Sequence, residues 1–273
     1  MAHIILPTDL SDHSLNAADA AFHLYTAADD RFTVLHVHMD PVRMNSSWVD
    51  VGGRIREAAQ EGLDAFLLRV NALPGAPSSR IHGMLASGPP APTLCKAALE
   101  LKADVVVMGT LGKGGNRFIG STALDVIENG RIPVLVIPSK ARMGRLQRIL
   151  FADEHTDVPA AALSFVVDLA GRTKAEVLVG HVMRTADEEP DAHVLAVHEA
   201  LLASVPHRYT ALEGQDPAAA LDLLADEEKA DLIALVRRPR ALLGDLFRTS
   251  TSKRLVLEST TPLLVLQHGA EGD

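Results

Sequence analysis

The chain has 273 residues, 47% of them apolar and 22% charged, with a net charge of −9 and a sequence pI of about 5.7. That length and apolar content suit two cored domains of about 130 residues each. The acidic balance argues against non-specific binding to nucleic acid or to an acidic membrane, both of which need clustered positive charge. Cys95 is the single cysteine, so no intrachain disulfide forms and the composition fits a reducing compartment.

Met1 to Pro7 opens the chain with no basic segment and no long apolar stretch, which predicts no signal peptide. No apolar run nears the ~20 residues a spanning helix needs. The expectation is a soluble, cytoplasmic protein. Ile4-Ile5-Leu6 reads as a strand that ends at Pro7-Thr8-Asp9. Ser11-Asp12 supplies capping acceptors ahead of an Ala-rich helical stretch, Leu15 to Ala28. Phe32 to His38 is apolar and β-branched, a strand. Arg54 to Val70 has helical spacing, with Ile55, Ala58, Ala59, Leu63, Phe66 and Leu67 on one side. Arg80 to Ser87 reads as a strand and Pro92 to Leu101 as a helix with proline near its start. Val105 to Met108 is a buried strand, Thr122 to Glu128 a helix stopped by Asn129-Gly130, and Pro133 to Ile137 the last strand of this half.

The layout then recurs. Ile4 to Asp9 answers to Ile149 to Asp153, with Asp9 matched to Asp153 at an offset of 144. His36 answers to His181, offset 145, Gly88 to Gly214, offset 126, and Ala103-Asp104 to Ala230-Asp231, offset 127. Phe118 to Thr122 and Pro133 to Ile137 have counterparts at an offset of 129. The repeats define domains at 1–140 and 147–273, joined by a basic linker. Alternating β and α elements with continuous apolar strands predict parallel sheets covered on both faces. Ligands of such sheets sit beyond the carboxyl ends of the strands. Asp9, the residues after His36, Gly88 and Gly109 all fall at such ends and would converge on one crevice.

Val105 to Thr122 carries the strongest chemical signal. An apolar strand runs into Gly109, Gly112, Gly114, Gly115 and Gly120, then into a helix opened by Ser121-Thr122. Free N–H groups at a helix start attract anions, and glycines let backbone approach a ligand. An ordinary glycine-rich strand-to-helix connection would read the same way.

Taken as an ordered set, these residues resemble the universal stress protein family: the strand-Pro7-Thr8-Asp9 start, Leu35-His36-Val37, Gly88-Pro89, Asp104-Val-Val-Val-Met-Gly109, Gly120-Ser121 and Pro133-Val-Leu-Val. The resemblance spans both halves. It implies two tandem Rossmann-like domains of the adenine nucleotide alpha hydrolase type. Each would be a five-stranded parallel sheet with helices on both faces, the two packed as an intrachain pseudo-dimer. A further homodimer and protein partners are compatible with it. Members that bind ATP carry Gly-x2-Gly-x9-Gly-Ser/Thr after the fourth strand. By that resemblance Gly109, Thr110, Gly112, Lys113, Gly120, Ser121 and Thr122 would hold phosphates. Pro7, Thr8, Asp9, Val37 and Gly88 would frame the nucleoside end, and Mg²⁺ would accompany a triphosphate. Here only seven residues separate Gly112 from Gly120. The shortened loop either tightens around the phosphates or loses the pocket. In the second half Val236 and Pro239 replace the first two glycines and Thr249 the third, so ATP binding of the family type is not expected there. A scaffold of the same fold that binds no nucleotide is the alternative. An enzyme, at most a slow ATPase, ranks last because no general base and nucleophile converge in the sequence.

Other signals are weaker. Asp9 could cap the first helix rather than meet a ligand. Lys113 and Arg117 read first as solvated loop cations, and the basic cluster of Arg237, Arg238, Arg240, Arg248, Lys253 and Arg254 as a solvated face. His36 and His38 share a strand face but show no zinc spacing. Cys95 reads as a packed residue with no activating neighbour.

Overall fold

The computed structural model describes residues 1–39, 51–110, 121–153, 160–183, 192–214, 216–237 and 259–267. The chain folds as two compact units, Met1–Ser139 and Lys140–Asp273. In unit 1 the order is β1 (His3–Thr8), α1 (Asp12–Leu24), β2 (Arg31–His38), α2 (Val51–Asn71), β3 (Ile81–Ser87), α3 (Pro90–Glu100), β4 (Val105–Gly109), α4 (Ser121–Asn129) and β5 (Val134–Ile137). Its strands lie in the order β3-β2-β1-β4-β5, all parallel. Unit 2 repeats the pattern with β6 (Arg148–Asp153), α5 (Ala160–Thr173), β7 (Glu176–Met183), α6 (Ala192–Leu202), β8 (His207–Glu213), α7 (Pro217–Glu228), β9 (Leu232–Arg237) and β10 (Leu263–Gln267). Its order is β8-β7-β6-β9-β10, again parallel. Each unit is thus the doubly wound α/β fold that the alternating elements predict. Among the described residues no helix is long and apolar enough to cross a membrane.

Local chemistry explains the elements. β1 is buried over Ile4 and Ile5, and β4 over Val105 to Val107, as strands covered on both faces must be. Ser11 caps α1 by accepting from the Ser14 N–H. Ala17, Ala18, Ala20 and Ala21 are buried and bring α1 close to the sheet, where Phe22 meets Phe32 edge to face at 4.9 Å.

Helix α1 ends at Leu24, short of the expected Ala28. The reason is Asp30, fully buried, whose carboxylate accepts from the N–H groups of Ala2 and Ala27 and folds the chain back into β2. Helix α3 begins at Pro90, two residues before the expected start, with Pro89 as its cap. Proline at the first helical position forfeits no bond, because that N–H has no intrahelical partner.

The same strand-end hydrogen bonds, each donated by a backbone N–H, recur in both units. The start of β1 is tied by His3 N–H to Asp104 Oδ2 at 2.6 Å, and the start of β6 by Arg148 N–H to Asp231 Oδ2 at 3.0 Å. Gly88 N–H donates to His38 O and Gly214 N–H to Met183 O, both at 3.0 Å.

Candidate functional site

Strand order reverses between β1 and β4, and that switch point is where doubly wound sheets bind ligands. The two strands are in register only at Ile4–Val105 and Ile5–Val106. Pro7 lies just past that paired stretch. It has no N–H to give, so the absence of a partner there costs nothing and the strands can part. Where they part lies a cavity of about 260 Å³, lined by Pro7, Thr8, Asp9, Ser14, Leu35, His36, Val37, Pro90, Leu94, Met108, Gly109, Thr110, Thr122 and Ala123.

Of the residues expected at a site, Pro7, Thr8, Asp9, Val37, Gly109, Thr110 and Thr122 therefore come together around one space. Ser121 opens α4 beside them. Gly112, Lys113 and Gly120 lie outside the described residues, as do Arg117 and, in unit 2, Pro239 and Thr249. Gly88 is not among the lining residues. Its φ of +138° and its N–H bond to His38 make it the turn residue between β3 and α3, and Pro90 from that turn reaches the cavity instead. Sequence reasoning missed Ser14, Leu94 and Ala123, helix residues that carry no motif, and did not assign Met108 of the Asp104–Gly109 run to the site.

The cavity is lined by both apolar and polar residues. Leu35, Val37, Pro90, Leu94 and Met108 offer a wall suited to a flat organic ring. Among the polar lining residues, Thr8 Oγ1 and Ser14 Oγ are 2.9 Å apart, and Thr8 Oγ1 also accepts from the Leu10 N–H at 2.8 Å. Asp9 Oδ1 accepts from the Ser11 N–H at 3.1 Å and from Ser14 Oγ at 3.4 Å. Asp9 thus both steadies the turn into α1 and faces the cavity. His36 Nδ1 donates to Thr8 O at 2.8 Å, which fixes the ring across the strand ends.

Two details bear on the glycine motif. A Cβ at Gly109 would come within 2.9 Å of the His13 carbonyl oxygen, so helix packing already demands glycine there. The Thr110 N–H donates to Ile137 O at 3.1 Å, continuing the β4–β5 ladder. The Thr110 N–H at the end of β4 is thus already paired within the sheet.

Unit 2 differs at this place. Val236 stands in β9 where Gly109 stands in β4. Matching Asp153 to Asp9 is also corrected by the register. His36 pairs with Thr8, and His181 pairs with Asp153. His181 Nδ1 donates to Asp153 O at 2.9 Å, just as His36 donates to Thr8 O. Asp153 therefore occupies the position of Thr8, and a one-residue shift along a strand turns a side chain to the other face. The residue at Asp9's position is Glu154, which lies outside the described residues.

Burial raises the Cys95 thiol pKa, which suits a packed residue on α3. Arg237 donates to Gln267 Oε1 at 3.1 Å, joining the ends of β9 and β10. The rest of the basic cluster around it lies outside the described residues. Among the described residues no three His, Cys, Asp or Glu side chains converge as metal ligands.

Fold and site together define a tandem, doubly wound α/β protein with a candidate small-molecule crevice at the switch point of its first unit. The chain belongs to the universal stress protein family, whose model matches residues 1–138 and again 145–267. It is similar to universal stress protein MJ0531 of Methanocaldococcus jannaschii, 34% identical over 140 residues, covering 49% of this chain and 80% of that protein. A universal stress protein of Thermus aquaticus is 33% identical over 137 residues, covering 49% and 96%. Among solved structures, a universal stress protein from Archaeoglobus fulgidus aligns over 99% of this chain and 98% of its own, with a TM-score of 0.75. At 20% identity that likeness speaks for the fold alone.

Proposed function

We propose that unit 1 binds ATP or a related adenine nucleotide at the β1–β4 switch point and that this is how the protein takes part in a stress response. The observation that carries this reading is the cavity itself. Its apolar wall of Leu35, Val37, Pro90, Leu94 and Met108 suits a base, and Asp9 is placed to accept from ribose hydroxyls. Its volume of about 260 Å³ is near the lower end of ligand pockets, enough for the nucleoside end with the phosphates continuing outward. Phosphates leaving in that direction meet the start of α4, where Ser121 and Thr122 stand and helix N–H groups lack intrahelical partners. Mg²⁺ would arrive with the triphosphate, since the described residues offer no cage of their own.

A second reading is favoured by Gly109. Because the His13 carbonyl alone explains that glycine, the motif could persist in a scaffold that holds no nucleotide. One experiment separates the two. Freshly purified protein is denatured and any released nucleotide identified by mass spectrometry, beside a Gly120→Asp variant. ATP or ADP from the wild type alone is the expected result. An empty wild type that also fails to bind added Mg-ATP by calorimetry leaves the scaffold reading in its place. Turnover of ATP, lost in Asp9→Ala, would add hydrolysis to the proposal.

A further inference from the structure

A second cavity lies in unit 2, on the face of its sheet that carries α6. Side chains along β7 alternate, and Gly180 faces α7: a Cβ there would meet Leu224 at 2.9 Å. Val179 and His181 therefore face the other way, with their register partners Tyr209 and Ala211 on β8. Between these strands and Leu195, Ala196 and Glu199 of α6 is a cavity of about 610 Å³, well inside the range of small-molecule sites.

A sequence difference between the units explains why space is left. In unit 1, β3 carries Gly83 opposite Val34, and α2 lies so close that a Cβ there would meet Leu67 Cδ1 at 2.5 Å. In unit 2 the same step is Tyr209 opposite Val179. A phenol ring on that step keeps a helix from approaching as α2 does. Helix α2 accordingly packs on β2 and β3, whereas α6 packs chiefly on α5. Helix α6 is also shorter, 11 residues against 21.

The cavity wall is apolar and its charges are balanced. Val179, Met183, Leu195, Ala196 and Ala211 line it together with the Tyr209 ring. Asp153 and His181 border it too, but they are 4% and 6% exposed and engaged with other groups, so neither offers it an open charge. Among the described lining residues the remaining charge is Glu199, and it is held in a clasp between α6 and β8. Its Oε2 accepts from His207 Nε2 at 3.1 Å and from Tyr209 OH at 3.2 Å. His207 Nδ1 donates to Val205 O at 2.9 Å. A carbonyl and an ionised carboxylate only accept, so both ring nitrogens carry protons when both bonds form. The resulting imidazolium balances Glu199. In agreement, the Val205 bond and then Glu199 raise the imidazole above its ordinary value, against a lowering by burial. His207 and then Tyr209 hold the Glu199 carboxyl below its own. Burial, then Glu199, push the Tyr209 phenol up to about 12, so it stays a neutral donor. Among the described residues no other charged group acts on His207; the Leu202 carbonyl and the Tyr209 ring, edge to face at 6.0 Å, complete its surroundings. The protons of the clasp are thus spent on Glu199 and Val205. What the mouth still offers a ligand is acceptors: the second Glu199 oxygen and a lone pair of the Tyr209 phenol.

We propose that this cavity is a ligand site for a small uncharged molecule with an apolar, ring-sized body and one hydroxyl-type donor, its mouth held in shape by the clasp. The body fills the space against Val179, Leu195 and the Tyr209 ring, and the donor meets the acceptors at the mouth. A carboxylate finds no donor there and places a second negative charge beside Glu199, so it is excluded. The site lies in unit 2, away from the unit 1 crevice, and does not depend on nucleotide binding.

The test is calorimetry on the full chain with three probes of one shape: tryptophol, its O-methyl ether and the anion indole-3-propionate. Tryptophol is expected to bind, the ether about threefold or more weakly for want of the donor, and the carboxylate not at all. Ala211 is exposed and shares the strand face of Tyr209, so Ala211→Phe folds normally, fills the space and is expected to abolish tryptophol binding. The clasp needs the imidazolium, so it is present near pH 6 and lost as pH rises through the raised histidine value. Tryptophol affinity is therefore expected to fall about two- to fivefold between pH 6 and pH 9, the scale of an exposed ion pair. Glu199→Gln can donate its amide to a neutral imidazole and is expected to flatten that dependence. In histidine-selective NMR, tryptophol is expected to shift the resonances of His181 and His207 and leave those of His36 and His38 in place. Binding of the carboxylate as tight as that of tryptophol, no binding of tryptophol, or tryptophol affinity unchanged in Ala211→Phe would each overturn the proposal. Parallel pH profiles for the wild type and Glu199→Gln would overturn the part given to the clasp. Gly120→Asp is expected to leave tryptophol binding intact, which keeps the outcome separate from that of the nucleotide reading.

Discussion

Thr8 and Asp153 occupy the same step of the same strand in the two units, and the difference between them sets much of what each unit can do. Around them the backbone is the same: an imidazole from the next strand bonds the carbonyl, at 2.8 Å in one unit and 2.9 Å in the other. Thr8 spends its hydroxyl on Ser14 and the Leu10 N–H, closing the first turn of α1 and shaping a crevice at the switch point. Asp153 is a buried carboxylate beside His198, turned toward a cavity on the α6 side. The helices follow suit. Where α2 buries Phe66 and Val70, α6 buries His198 and Leu202. A repeat thus keeps its strand-end hydrogen bonds together with the histidine that donates them, and varies other side chains that decide where space is left. The two units differ here in side chains at several strand steps and in the length of one helix, 21 residues in α2 against 11 in α6, not in the order of their elements.

The sharpest way to break the comparison is to give unit 1 the residue of unit 2. Gly109→Val places a side chain against the His13 carbonyl, already 2.9 Å from a bare Cβ, and backbone cannot step aside without moving α1. Overpacking of this kind costs about 1–3 kcal/mol, and we expect the upper end, read as a lower urea midpoint, with ligand binding at the crevice lost. Gly83→Ala tests the other strand step and should be much milder. There the close atom is Leu67 Cδ1 at 2.5 Å, the tip of a flexible side chain. Its displacement is partly offset by the ~0.5–1 kcal/mol that alanine gains over glycine within a strand. A net loss under about 1 kcal/mol is expected. If Gly83→Ala proves as damaging as Gly109→Val, the distinction between a backbone contact and a yielding side chain fails.

How far the sequence itself foretells these features depends on the range of the contacts. Element types are legible because periodicity is local: the apolar run of β4, the helical spacing of α2 and the Ser11 cap all depend on near neighbours. The end of α1 is not, because Asp30 acts through Ala2, a strand away. The residues of the unit 1 crevice are legible as strand-end and motif positions, yet the reason for Gly109 lies in the carbonyl of His13. The match of Asp153 to Asp9 slips by one because two apolar strands ending in aspartate look alike. Only the pairing with β2 and β7 decides which way each side chain points. The unit 2 cavity is hidden for the same reason. Tyr209 for Gly83 means nothing until β8 and β3 are set beside β7 and β2.

A smaller effect should separate the opposite ends of the sheets by their pH response. In unit 1 the side chain that opens the first strand meets only uncharged partners: His3 Nδ1 bonds Leu101 O at 3.0 Å and Nε2 bonds Thr33 Oγ1 at 2.8 Å. In unit 2 the same ends are crossed by charges. Arg148 Nε donates to Glu176 at 3.1 Å, Arg208 Nε to the same carboxylate at 3.2 Å, and both arginines reach Glu228. The hydrogen bond from Arg208, with the charges of both arginines, holds Glu228 below the ordinary glutamate value of 4.5. A carboxyl depressed in the folded state adds stability that is complete above its unfolded value and is lost as pH falls through the folded one. The thermal midpoint of the wild type should therefore drop more than that of Glu228→Gln as pH is taken from 6 to below 4.5. The gap should also narrow in high salt, since these groups are partly exposed. Parallel curves for the two proteins would show that the network contributes nothing measurable.

Cys95 offers the smallest and cleanest contrast, between the packed body of α3 and a reactive thiol. Its sulfur is half-buried on a helix whose buried residues include Ala91, Leu94, Ala97 and Ala98. A Cβ on Gly130 would stand 3.8 Å from it, so α3 packs on it against the end of α4. Burial raises the thiol pKa, which lowers the thiolate fraction at neutral pH, and only the thiolate reacts. Native protein should therefore react with a thiol-specific disulfide reagent more slowly than unfolded protein at the same pH. The rate should rise with pH beyond the ordinary thiol value of 9.0 before it levels. Reaction as fast in the native as in the unfolded state would mean that α3 and α4 open readily at this point, and with them one wall of the crevice formed by Leu94 and Ala123.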